Sequence, residues 1–185
     1  MIFVVDMWGE DRGFVDRWSL GFEDFALLSA KPLATRLGFA AQLMLYRTTS
    51  RFGLAARDFP DAAISYLAEQ IGVAPTDISD FNWTGRSGRR YRAEILDYLG
   101  LRRASKQDLQ DALAWVEADL CPLGLPAVEM IEQLLGWFGD RQVAGPETGA
   151  LKSLIATASR AFEDKALNAV ASFLSQEQCC KLDAS

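Results

Sequence analysis

The stretch PLATRLGFAAQLMLYR, Pro32–Arg47, decides how this 185-residue chain is read. Leu33, Leu37, Ala40, Ala41, Met44 and Leu45 recur at three- and four-residue spacing, the period of an amphipathic helix. Pro32 suits the start of that helix, because its missing N–H is one that the first turn leaves unbonded anyway. The same period continues on both sides. Upstream, Gly21–Ser29 reads as a short helix with Phe22, Phe25 and Leu28 on one face and Ser19 nearby as a cap candidate. Downstream, Pro60 opens a helix carrying Ala63, Ile64, Leu67 and Ile71, which Gly72 closes. A short helical turn follows Pro75-Thr76, and a helix over about Arg89–Leu99 turns Ile95, Leu96 and Leu99 inward before Gly100.

The second half repeats the pattern. Ser105 and Asp108 have capping-box spacing ahead of a helix bearing Leu109, Ala112, Leu113, Val116 and Leu120, which LCPLGLP stops. Pro126 starts the next, with Val128, Ile131, Leu134, Leu135 and Phe138 as its buried stripe. A long helix over about Gly149–Leu174 places Leu151, Leu154, Ile155, Ala158, Phe162, Leu167, Val170 and Leu174 on its apolar side. Ser175 and Gln178 are spaced to cap a last short helix. Phe3, Val4 and Val5 are a short extended candidate, and no alternating strand pattern recurs. The fold expected is all-α with two small helical subdomains. Residues 1–18 form a poorly defined segment, residues 19–104 a basic, helix-turn-helix-like half, and residues 105–185 an acidic helical bundle. The boundary falls near residues 101–107, where the charge changes sign after Gly100.

Half the residues are apolar, enough to bury a core at this length. No run approaches the roughly 20 apolar residues of a membrane span, and Met1–Trp8 lacks the basic start and small-residue cleavage site of a signal peptide. A cytoplasmic protein without a membrane partner is expected. The chain has no histidine, which excludes Ser-His-Asp and Cys-His nucleophile systems and most catalytic zinc sites. Its cysteines, Cys121, Cys179 and Cys180, are too few and too badly spaced for a disulfide framework or a four-ligand zinc site, and read as reduced thiols. The acid pairs Glu23-Asp24, Asp77-Asp80 and Glu163-Asp164 read as solvated charges, and Trp83, Trp115 and Trp137 as core residues. No catalytic residue, metal or cofactor is therefore expected.

The net charge of −6 conceals an asymmetry. Residues 1–30 hold 2 basic and 6 acidic residues, residues 31–106 hold 12 and 7, and residues 107–185 hold 5 and 12. Nucleic-acid affinity depends on local Lys and Arg rather than on the global sum. The first candidate cluster is Arg86, Arg89, Arg90 and Arg92 in TGRSGRRYR, read as an exposed loop leading into a helix, and continued by Arg102, Arg103 and Lys106. The second is Arg36, Arg47, Arg51 and Arg57, with Thr48, Thr49 and Ser50 as short donors to phosphate. Arg36 also suits a structural ion pair, and Arg47 the ordinary cation at a helix C-terminus.

RLGFAAQLMLYRTTSRFGL at Arg36–Leu54 resembles the hallmark of the N-terminal domain of Tn-three family transposases. In that family an Arg-Leu-Gly-Phe-Ala run leads into an aliphatic helix, an Arg and an aromatic-Gly pair. WSLGFEDFALL at Trp18–Leu28, FPDAAISYLAEQIGVAP at Phe59–Pro75 and GRRYRAEILDYLGLR at Gly88–Arg102 follow the family's order. Leu154–Ser185 resembles its Arg-containing long helix and closing Leu-Asp segment. Tyr91 departs from the pattern, standing where histidine is common. The resemblance implies recognition of double-stranded DNA at the transposon's terminal inverted repeat and contacts with other transposase domains. The family's Asp-Asp-Glu catalytic triad lies in a distant C-terminal domain that this sequence lacks, so the chain is expected to be an excised domain or a truncated product. The alternative is a helical interaction or self-assembly module with little DNA binding of its own.

Overall fold

The computed structural model describes residues 11–182, with side chains over 13–172. The fold is all-α. The Phe3–Val5 segment, the thiols of Cys179 and Cys180 and the side chain of Leu174 lie outside the described part. The chain divides into two compact units, the first ending at Leu101 and the second beginning at Arg102.

The first unit is built round α3 (Leu33–Thr49), in which every residue from Leu37 to Tyr46 is buried. A helix apolar on all sides has to be covered on all sides. Packed against it are α1 (Asp11–Trp18), α2 (Phe22–Ser29), α4 (Asp61–Ile71), α5 (Arg86–Tyr98) and a 3-10 turn at Pro75–Asp80. The closest approach is at Gly38. A Cβ there would lie 2.1 Å from Phe81 Cγ and 2.5 Å from Phe81 Cβ, so only glycine lets the ring seat on the helix. The one buried polar residue of α3, Gln42, is bonded at both amide atoms. Its Nε2 donates to the Gly53 carbonyl at 2.7 Å, and its Oε1 accepts from the Gly53 N–H at 2.9 Å, which fastens the following loop to the helix.

Three expectations for this unit are corrected. Residues 11–18 form a helix with Trp18 fully buried, because Gln70 of α4 bonds the Trp18 carbonyl and the Leu20 N–H and so fixes the end of α1. In α2 the inward residues are Asp24 and Leu28, while Phe22 is 91 % exposed and Phe25 is also exposed. Asp24 takes the inward position because Arg47 and Tyr98 bind it there, so its pairing with Glu23 does not make it a solvated acid. Finally, α5 starts at Arg86, three residues earlier than expected, so most of the basic loop is helix.

In the second unit α6 (Lys106–Trp115), α7 (Ala127–Gly139) and α8 (Thr148–Leu182) form a bundle around Val116, Leu120, Leu134, Phe138, Leu151 and Ile155. Ser105 caps α6 with the reciprocal bonds its spacing implies, accepting from the Asp108 N–H while Asp108 Oδ2 accepts from the Ser105 N–H. Beyond α6 the chain widens into a π turn at Val116–Leu120 and tightens into a 3-10 turn at Cys121–Leu123, since Pro122 has no N–H to continue an α ladder. Two-residue strands β1 (Arg102–Arg103) and β2 (Val143–Ala144) pair in parallel. Val128 is exposed, so the buried stripe of α7 is Met130, Ile131, Leu134, Trp137 and Phe138.

The long helix is also corrected. α8 continues for 35 residues, about 50 Å at 1.5 Å per residue, without a break at Ser175. A capping-box spacing ends nothing unless the preceding residues leave helical dihedrals, and no Gly or Pro stands there to make them. Leu151, Ile155 and Ala158 are buried, but Leu167 and Val170 are exposed, because the bundle ends before α8 does.

Candidate nucleic-acid interface

The start of α5 is shaped by the segment before it. Asn82 Oδ1 accepts the Gly85 N–H at 2.7 Å, a local side-chain-to-backbone bond that leads the chain into the helix. The rings of this segment lie inward. Phe81 stacks on Tyr91 at 5.4 Å between centroids, and Trp83 lies 4.7 Å from Phe81 and 5.0 Å from Phe59. Gly88 is in contact with the same segment. A Cβ on it would sit 2.4 Å from the Asn82 carbonyl oxygen and 2.5 Å from that of Trp83.

On this base, Arg86, Arg89 and Arg90 are all exposed. Their spacing of three and four puts them on one face of α5. Among the described residues none of the three guanidinium groups has an ion pair or hydrogen bond; that of Arg90 only lies 5.2 Å from the Tyr91 ring centroid. The first turn of α5 has no acidic residue. Three cations thus crowd the positive end of a helix dipole, where anions are the favoured neighbours.

The remaining candidates separate into committed and free groups. Arg36 donates to the Lys31 and Ser29 carbonyls at 3.0 and 3.1 Å, closing the connection between α2 and α3. Arg47 makes a two-pronged pair with Asp24 at 2.8 and 2.7 Å. Burial alone would raise the Asp24 pKa, but the hydrogen bonds from Arg47, Gly21 and Tyr98 together outweigh it and hold the carboxyl below its usual range. Arg92 Nη1 donates to the Trp83 carbonyl at 3.0 Å. Arg51 is half-buried, with its Nε buried and unbonded. The Thr48 and Thr49 hydroxyls donate back to the Met44 and Leu45 carbonyls, which uses the protons they would offer to a phosphate. Arg57 is exposed on a 3-10 turn at Ala56–Asp58.

In the second unit Arg102 forks onto Asp108 at 2.6 and 2.7 Å. Hydrogen bonds from Arg102 and then Ser105 hold the Asp108 carboxyl well below the usual carboxylate range. Arg103 and Lys106 are exposed, with no ion pair among the described residues. The site residue that sequence reasoning passed over is Asn82. Its signal was the residue type alone, since Asn is among the side chains that bond nearby backbone N–H groups just ahead of a helix.

Residues 8–158 match the family described as "Domain of unknown function (DUF4158)". The chain belongs to this family. No curated protein matches it. The DUF4158 match runs through both units and ends at Ala158, the last buried position of α8 among the described residues. It therefore includes every candidate arginine, and Gly38, Gln42 and Gly53, whose contacts account physically for the Arg36–Leu54 motif. No helix of the DUF4158 chain among the described residues is long and apolar enough to cross a membrane.

Proposed function

We propose that this DUF4158 chain is a DNA-recognition domain that binds the terminal inverted repeat of a transposon and has no catalytic centre of its own. The observation carrying the reading is the set of three exposed, unpaired arginines on one face at the positive end of α5. A duplex phosphate backbone satisfies both the guanidinium forks and the helix end. The resemblance to the N-terminal region of Tn-three family transposases supplies the transposon end as the duplex. Arg57 in the first unit, and Arg103 and Lys106 in the second, are further exposed cations available to phosphates.

The test is a salt series of binding to inverted-repeat and scrambled duplexes. Replacing Arg86, Arg89 and Arg90 together with alanine is expected to preserve helicity and weaken binding to both duplexes. The slope of log affinity against log salt should flatten by about 0.9 per lost phosphate contact. Loss on the inverted repeat alone would assign these arginines to base edges instead. Unchanged affinity and slope would remove α5 from the interface.

A second reading, a helical interaction or self-assembly module, draws on the exposed Leu167 and Val170 of α8. Sedimentation showing a stable oligomer indifferent to DNA would favour it.

A further inference from the structure

We infer that Arg92 is a positioning residue that holds the start of α5 in register and does not itself contact phosphate; this rests on the DNA-binding reading above. A helical side chain leans toward the helix N-terminus. Arg92, half-buried, follows that lean and donates from Nη1 to the Trp83 carbonyl at 3.0 Å.

That carbonyl is held from several sides. It is the atom that lies 2.5 Å from where a Gly88 Cβ would be, so helix and segment are in backbone contact there. The Trp83 ring is held between Phe59 and Phe81, and Phe81 is stacked on Tyr91 of α5. On the far side of Trp83, Asn82 bonds the Gly85 N–H. Arg92 thus ties the middle of α5 to the segment that sets where the helix begins, and that beginning carries Arg86, Arg89 and Arg90. The guanidinium that sequence alone groups with these three as a fourth phosphate ligand is used inside the first unit. Releasing it lets the first turns of α5 shift, and the three exposed arginines lose their common register together.

A double-mutant cycle on the full chain with a fluorescent mixed-sequence duplex, repeated over a salt series, tests this, using Arg89→Ala, Arg92→Ala and the pair. Independent contacts give losses that multiply to within about twofold. For a positioning residue, Arg89→Ala weakens the wild type severalfold but costs markedly less in the Arg92→Ala background. In the free protein, amide exchange at Gly85, whose N–H is bonded to Asn82, and at Arg90 and Tyr91 in the first bonded turn of α5, accelerates with Arg92→Ala and stays at wild-type rates with Arg89→Ala. Arg92→Met, which keeps the aliphatic stem, serves if circular dichroism shows that the alanine variant has lost helicity. Multiplicative losses, with a salt slope that drops by about one for Arg92 as for Arg89, would make Arg92 a phosphate ligand and overturn the inference. Failure of the wild-type chain to bind any duplex would instead overturn the DNA reading, and the exchange rates would still report whether Arg92 holds the segment.

Discussion

Gly38→Ala is expected to destabilise the first unit by about 2–3 kcal/mol, although alanine is the better helix former by about 1 kcal/mol. The opposing effect is larger. The new methyl would fall 2.1–2.5 Å from three atoms of Phe81, and one of them is Cβ, which can retreat only if the Phe81 backbone moves. Phe81 is itself buried, and over-packing a closed core costs about 1–3 kcal/mol or more. Urea denaturation of the two proteins measures the difference. In a Phe81→Gly background, which removes all three of these atoms, the same change should become neutral or mildly stabilising, because mainly the helix preference remains. A wild-type-like midpoint for Gly38→Ala would show that the contact does not constrain the fold.

Asp24→Asn should cost on the order of 2–3 kcal/mol. The carboxylate is 2 % exposed and accepts from both prongs of Arg47, from the Gly21 N–H and from the Tyr98 hydroxyl. Breaking a fully buried pair loses about 3–5 kcal/mol. Arg47 is 34 % exposed, so water recovers part of that loss and the lower figure applies. The same pair gives a pH dependence. Because the folded pKa of Asp24 is lowered from 3.8, its contribution is complete above the unfolded value. It is lost progressively as the pH falls below about 4 toward the folded pKa. Asp24→Asn should therefore be less stable at neutral pH yet lose less on acidification. Parallel stability–pH curves for the two proteins would count against the clasp.

The sequence made the helices legible because their signals are local. Spacing of apolar residues, Pro at first turns and the Ser105–Asp108 box lie within a few residues of what they determine. Phe22 and Asp24 were misassigned for the opposite reason. The hydrophobic pattern favours Phe22 inward, but the partners of Asp24 are 23 and 74 residues away, and nothing local announces them. The candidate site divides the same way. The basic island is visible as composition, whereas the split between Arg92, engaged with a carbonyl, and Arg89, free, depends on which side of a helix faces Trp83. Likewise, the exposure of Leu167 depends on where the bundle stops, a property of tertiary packing that helical period cannot carry.

Gln42 and Asp24 perform comparable tasks with chemically different groups. The Gln42 amide exchanges two hydrogen bonds with one peptide unit, and neither partner takes up or releases a proton anywhere in the range where proteins fold. The carboxylate that fastens α2 does. Acid therefore acts on this unit selectively. The fastening of α2 loosens as the pH falls, while the two Gln42 bonds that latch Gly53 to α3 do not respond to protons.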